Sequence, residues 1–286
     1  MSGFKHFAVA GAGNFGTFIV KELLLLKNKD SVSKVVVLTR SANNSAISEL
    51  ANLGATICEV DYASPASITK ALVGIDVLLC AFGATGLSTQ EVMAKSAKDA
   101  GVKLFVPSEF GGDAGELDKL PFKDVKFNVR RKLEEISLPY TLFHTGIWPD
   151  LYFIPSKGFD FANGKVKFGG QGDAPISWTT RRDAARFIAH ALTVFPKDKL
   201  EGREIRIEGD RQSFNEPFAR FEERKSVKLD ISRQSREELE SRVKANPNDI
   251  FAISFLAWDL GGGILENLAN GEWPEWWPES VLDVIS

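Results

Sequence analysis

The chain has 286 residues, 44% of them apolar and 26% charged, and a formal net charge of −3. That length allows one or two domains with a substantial core, in a composition ordinary for a soluble protein. The charge balance offers no basic field, so nucleic acid is not an expected partner. The leucine block Leu23 to Leu26 is the longest and falls far short of the ~20 apolar residues that span a bilayer. The opening residues lack the apolar core of a signal peptide, so the expected location is cytoplasmic, with no membrane partner. Cys58 and Cys80 lie in apolar runs and are expected as buried thiols. His6, His144 and His190 are scattered and form no ligand pattern, so no metal site is expected.

The first half alternates two patterns. Phe7 to Ala10 is a short apolar run ending in glycines, and Thr17 to Lys27 has helical length. Val35 to Leu38 reads as a strand buried on both faces. A helix over Ser45 to Leu53 and a strand over Thr56 to Val60 follow. Ser64-Pro65 starts another helix, with serine as cap and proline at the first helical position. Val77 to Cys80 is a fourth strand, and Ser88 to Glu91 spells a capping box. Lys103 to Val106 is a fifth strand. Pro121 to Ser137 is a helix with Val125, Val129, Leu133 and Ile136 on one face, and Tyr140 to His144 is a sixth strand. This rhythm predicts a doubly wound parallel sheet of α/β class over residues 1–150.

Beyond residue 150 the rhythm breaks. Gly164 to Gly169 is a glycine-flanked segment, and Thr180 to Asp183 caps a helix running to Val194. Ser213 to Glu216 is a second capping box, and Asn246 to Asp249 opens a long helix interrupted at Gly261 to Gly263. Residues 151–286 read as a smaller α+β substrate-side region whose later segments are free to rejoin the sheet.

Gly11-Ala12-Gly13-Asn14-Phe15-Gly16 fits G-x-G-x-x-G between a strand and a helix. The first glycine permits the tight turn, the second lets a pyrophosphate approach, and the third allows helix and strand to pack closely. The helix N-terminus adds N–H groups and a positive dipole end for phosphates. Alone, the pattern also fits a glycine turn with no ligand; its place in a first βα unit makes it a Rossmann-type dinucleotide site. Strand two ends in Thr39-Arg40-Ser41, where an NAD site would carry an acid. An arginine fork there suits a 2′-phosphate, with Thr39 and Ser41 as hydroxyl donors, so the expected cofactor is NADPH.

Three further segments carry a resemblance. They are Pro107-Ser108-Glu109-Phe110-Gly111, then Val125-Lys126-Phe127-Asn128-Val129-Arg130-Arg131, then Leu138-Pro139-Tyr140-Thr141. In this order they resemble the isoflavone reductase-like proteins, a branch of the NmrA-like atypical short-chain dehydrogenases. That group includes phenylcoumaran benzylic ether and pinoresinol–lariciresinol reductases. The resemblance implies NADPH as hydride donor and Lys126 as the catalytic general acid or base, also in contact with the cofactor. It places Phe82, Gly83 and Ala84 along the pyrophosphate and ribose. It makes Ser108, Glu109 and Phe110 cofactor contacts, and it gives Phe110, Ile147 and Trp148 to the substrate. The glycine spacing departs from the G-x-x-G-x-x-G of plant members. Nothing after Trp148 matches an assignable plant substrate pocket.

The Tyr-x-x-x-Lys pair of ordinary short-chain dehydrogenases is absent. Four residues beyond Tyr62, Tyr140 and Tyr152 stand Ala66, His144 and Ser156. From the residues alone, Lys126 also reads as a solvated helix lysine; partial burial would suit it to proton transfer. Trp148 fits a stacking role or plain packing, and Trp178 reads as core. Trp273, Trp276 and Trp277, held extended by prolines, read as a docked strap. The expected activity is an NADPH-dependent reduction of a small aromatic or conjugated metabolite by a monomer or homodimer. An NADP(H)-binding regulator without turnover, and an isomerase or cyclase without net redox, are the competing readings.

Overall fold

The computed structural model describes residues 2–112 and 123–286. The chain divides into two compact units. The first holds residues 2–109, 124–143 and 185–205; the second holds the described residues of 110–123 together with 144–184 and 206–286.

The first unit follows the expected rhythm. Strands β1 (His6–Ala10), β2 (Lys34–Thr39), β3 (Thr56–Glu59), β4 (Val77–Cys80) and β5 (Leu104–Val106) form one sheet in the order β3-β2-β1-β4-β5. Every pairing is parallel. The chain reverses direction across the sheet between β1 and β4, which is where open α/β sheets bind ligands. Helices α1 (Gly16–Lys27), α2 (Ser45–Asn52), α3 (Pro65–Ala71), α4 (Thr89–Asp99) and α5 (Lys123–Glu135) make the connections. Val35 to Leu38 are all buried, as a continuous β-branched run requires. Strand β6 (Thr141–His144) joins through one parallel bridge, Phe105 to Tyr140. The core packs Leu38, Leu78, Met93, Phe105, Val129 and Leu133 together.

Local signals hold at most helix starts. Asn44 accepts from the Ile47 N–H, and Ser64 accepts from the Ser67 N–H with Pro65 behind it. The Ser88 box is different. Ser88 is already in helical conformation and makes no cap hydrogen bond, because a short turn at Ala84–Gly86 runs straight into α4. Residues 121 and 122, expected to begin α5, lie outside the described residues. On α5 the buried residues are Lys126, Val129 and Leu133; Val125 is only half-buried. A lysine thus takes a place on the apolar stripe. Cys80 is buried and Cys58 half-buried, and both are free thiols.

The second unit begins with α6 (Pro149–Tyr152) and β7 (Phe159–Asp160). Strand β8 (Lys165–Gly169) lies between β7 and, far along the chain, β12 (Asp230–Gln234). Strand β9 (Ile176–Trp178) pairs antiparallel with β11 (Asp210–Gln212). Helix α7 (Arg181–Val194), begun by a Thr180–Asp183 cap, carries the chain back to the first unit, where β10 (Arg203–Arg206) pairs with β6. Helices α8 (Asn215–Lys225), α9 (Arg236–Ala245), α10 (Ile250–Asp259) and α11 (Val281–Ile285) complete it. The Ser213–Glu216 box forms reciprocally. The long helix expected from Asn246 is the shorter α10, capped by Asp249 and ended before Gly261.

Trp178 is fully buried in an aromatic core, where Tyr152 touches Phe159, Phe214, Phe255 and Trp258. The strap docks on its own unit: the Trp276 indole donates to Asp183 O (3.3 Å) and the Glu279 N–H to Asp183 Oδ2 (2.9 Å). The Tyr152 hydroxyl is buried without a hydrogen-bond partner among the described residues. Such a group costs ~1–3 kcal/mol. Tyr152→Phe is therefore expected to raise the Tm by about 2–4 °C, read by calorimetry. A fall would show that the hydroxyl is satisfied by a bridging water. Among the described residues no helix is long and apolar enough to cross a membrane.

Candidate active site

The glycine turn closes the end of β1. Gly11 has φ +92°, and a Cβ there would lie 2.8 Å from the Ala81 carbonyl oxygen. A Cβ on Gly16 would overlap the Gly11 carbonyl oxygen, so α1 can press against the turn only without one. A Cβ on Gly13 would meet nothing within 4 Å. Its backbone faces open space, which is the room a pyrophosphate needs. Thr17 holds the turn by donating to Ala12 O (3.0 Å). Among the described residues no side chain caps α1 at Phe15, and its first turn carries no acid, so the positive helix end suits an anion. Asn14 lies within this same turn.

A cavity of about 460 Å³ opens over the turn, bounded by Gly11, Gly13, Thr39, Arg40, Phe82 and Gly83 among others. A neighbouring open hollow of about 590 Å³ is lined by Arg40, Glu59, Val60, Asp61, Tyr62 and Ala63. Arg40 is exposed and lines both. The loop that carries it is tied down locally. Thr39 Oγ1 donates to Ser41 O (2.9 Å), and Glu59 accepts the Ala42 N–H (3.2 Å). Glu59 stands opposite Thr39 in the sheet register. Glu59 thus braces the loop behind Arg40 through the Ala42 N–H. Tyr62 forms a shared wall, its hydroxyl donating to Leu38 O (2.8 Å) and its ring edge-on to Phe82 at 5.4 Å. Burial pushes the Tyr62 phenol far up, so it stays a neutral donor. Sequence reasoning missed Tyr62 and Glu59; the Glu59–Thr39 register is the feature that brings the acid in.

Ser108 is a staple. Its hydroxyl donates to Cys80 O (2.7 Å) and accepts the Phe82 N–H (2.9 Å), while its own N–H donates to Gln90 Oε1 (2.7 Å). It thereby fixes the Phe82-Gly83-Ala84 loop at the mouth of the cavity.

One residue on, Glu109 is buried between two cations of α5. The Lys126 amine donates to the Glu109 main-chain oxygen (2.8 Å) and lies 3.0 Å from its Oε2. Arg130 Nε donates to Oε1 (2.9 Å). Burial pushes the Glu109 carboxyl up, but Lys126 and Arg130 outweigh it and hold the group below its ordinary value. Lys126 is itself buried, at 7% exposure, so it is not the solvated helix lysine that composition alone suggests.

In the second unit, Phe110, Thr145 and Trp148 form a relay. The Trp148 indole donates to Thr145 Oγ1 (2.9 Å), which donates to Phe110 O (3.1 Å). Phe110 has φ +31°, a conformation costly for an aromatic residue and typical of functional turns. Ile147 bridges to Trp178 beside it.

An open parallel sheet with a glycine turn and an arginine-edged cavity at its reversal point defines a Rossmann-type nucleotide-site architecture. The chain belongs to the NmrA-like family, which it matches over residues 5–251. It is 28% identical to an NmrA-like family domain-containing oxidoreductase of Gibberella moniliformis, over 92% of each chain. It is 25% identical to eugenol synthase 1 of Petunia hybrida, over 96% of this chain and 94% of the relative. Its fold matches leucoanthocyanidin reductase from Vitis vinifera, solved with NADPH, at a TM-score of 0.83 and 18% identity over 98% and 97% of the two chains.

Proposed function

We propose that the protein is an NADPH-dependent reductase of a small aromatic or conjugated compound. The observation that carries this reading is Lys126, a buried amine on the same unit as the glycine turn and the arginine-edged cavity. The glycine turn would hold the pyrophosphate, Arg40, Thr39 and Ser41 the 2′-phosphate, and Phe82 to Ala84 the neighbouring ribose. When bound, NADPH supplies hydride to the acceptor carbon. Lys126 moves the proton that balances it. Phe110, Ile147 and Trp148 are assigned to the acceptor ring, with the Trp148 indole oriented through Thr145.

The test is loss of NADPH absorbance against a panel of quinones, conjugated enones and phenylpropanoids. The expected result is NADPH-dependent turnover of at least one class, with NADH much poorer. Tight NADPH binding with no turnover across the panel would favour a regulator instead. Arg40→Ala is expected to raise the Kd for NADPH more than about tenfold, from loss of a charge-assisted contact worth at least ~1.5 kcal/mol. NADH affinity should barely change. Equal weakening of both cofactors in a titration would remove Arg40 from the 2′-phosphate.

A further inference from the structure

We propose that Lys157, with the Tyr152 and Phe251 rings against it, forms a subsite for an aromatic carboxylate, so that the preferred acceptors carry an acid group on their ring. The inference rests on the reading above that the residues after β6 receive the acceptor, and it concerns which acceptor they favour.

Helix α6 links the parts. The Tyr152 N–H donates to Trp148 O (2.9 Å), so these two aromatic residues stand one helical turn apart. Lys157 follows at the end of a short turn over Pro155–Lys157. Its amine reaches back to donate to Leu151 O (2.6 Å). There it lies 5.7 Å from the centre of the Tyr152 ring and 5.7 Å from that of Phe251, on the first turn of α10. The two rings are themselves 6.0 Å apart. A flexible stem with a point charge at its end is thus held in one place by a carbonyl and two rings, all within the second unit. Tyr152 is buried, Lys157 half-buried and Phe251 39% exposed. The amine therefore stands where the aromatic core of this unit meets solvent.

The charges around it leave room for an anion. Among the described residues Lys157 makes no ion pair. The carboxylates closest in sequence to the amine and its two rings are committed elsewhere. Asp150 holds Arg181 (2.8 Å), Asp160 accepts from Asn163 (2.8 Å), and Asp249 holds Arg242 (2.9 Å). Burial, with the Arg181 charge behind it, pushes the Lys157 amine down. A bound carboxylate would oppose both effects by pairing with the charged form. The Tyr152 hydroxyl is a second donor with unmet capacity, buried and without a hydrogen-bond partner among the described residues. Folded chains rarely leave such a group without a ligand or a water. The ligand that fits these features is flat, apolar and anionic at one end. Its ring packs on Tyr152 and Phe251, and its carboxylate accepts the N–H bonds of Lys157 that Leu151 leaves unused. A neutral phenol or alcohol would gain little beyond the ring contact.

The test uses the full chain and two probes, 4-carboxybenzylideneacetone and its methyl ester. They share the ring and the enone and differ in charge. Binding is measured by titration calorimetry at neutral pH, with NADP⁺ at saturation. Wild type should bind the acid about tenfold more tightly than the ester, the worth of a charge-assisted hydrogen bond. Lys157→Met keeps the stem and removes the charge. It should weaken the acid about tenfold and leave the ester within about twofold. Lys157→Arg should keep part of the preference for the acid. A lysine that served packing alone would weaken both probes alike, and that result would overturn the proposal. So would a wild type that binds the ester as tightly as the acid, or a Lys157→Met protein that still prefers the acid. If Lys157→Met fails to fold, Lys157→Gln carries the same comparison. Turnover of the same probes with NADPH separates this proposal from the reductase reading. An acid preference that depends on Lys157, with no reduction of either probe or of the wider panel, keeps the subsite and removes the reductase. Reduction of both enones with no acid preference removes the subsite alone.

Discussion

Lys126→Met is expected to lower NADPH-dependent turnover by roughly 10²–10⁴-fold, the usual worth of a positioned general acid or base. The Kd for NADPH should change far less than turnover, because the glycine turn and Arg40, which would hold the phosphates, are untouched. Methionine matches the length of the lysine stem and suits the apolar stripe of Val129 and Leu133 that Lys126 shares. Breaking a buried ion pair ordinarily costs ~3–5 kcal/mol. Here Arg130 still pairs with Glu109, so the fold should survive with a modest loss of Tm. Stopped-flow single turnover then isolates the chemical step from binding. A wild-type rate in a folded variant would show that proton transfer uses another group or water.

The second large effect separates the glycines. Gly13→Ala should fold like wild type, since its Cβ meets nothing within 4 Å and its φ is not positive. That methyl group would, however, occupy the space required by the pyrophosphate. The Kd for NADPH should therefore rise by more than about tenfold with little change in Tm. Gly16→Ala should do the opposite first. Its Cβ would overlap the Gly11 carbonyl oxygen, so α1 must move away from the turn. Backbone overpacking costs ~1–3 kcal/mol or more, and the Tm should drop by at least about 5 °C. A Gly13→Ala protein that binds NADPH normally would mean that the turn is structural only.

The first unit was legible because its sheet is buried on both faces. Runs such as Val35 to Leu38 and Val77 to Cys80 suit strands covered on both sides. The turn role of Gly11 and the packing role of Gly16 also followed from the motif, and their Cβ environments agree. The second unit was harder to read. Strand β12 is Asp-Ile-Ser-Arg-Gln, mostly exposed and without a clear alternation. Helix α9 buries only Leu239, and its one signal is the Ser235–Glu238 capping box. Both elements are specified by what they pack against.

The site shows the same division. Lys126 was singled out by the resemblance, but its burial was not legible, because cationic neighbours on α5 make the helix read as solvated. Its partner Glu109 is seventeen residues earlier in the chain. No local pattern links a carboxylate after β5 to an amine on α5; the sheet does. The acid at the Arg40 corner is likewise a matter of register, with Glu59 brought opposite Thr39.

The most direct test of the central claim is the fate of the transferred hydrogen. NADPH deuterated at the transferring position of nicotinamide C4 is incubated with the protein and the best enone or phenylpropanoid acceptor of the panel, whose new C–H bond does not exchange with water, and the product is weighed by mass spectrometry. One deuterium is expected in the product for each NADPH consumed. Product without deuterium, or turnover with NADPH unchanged, would contradict it and point to a cofactor used without net reduction.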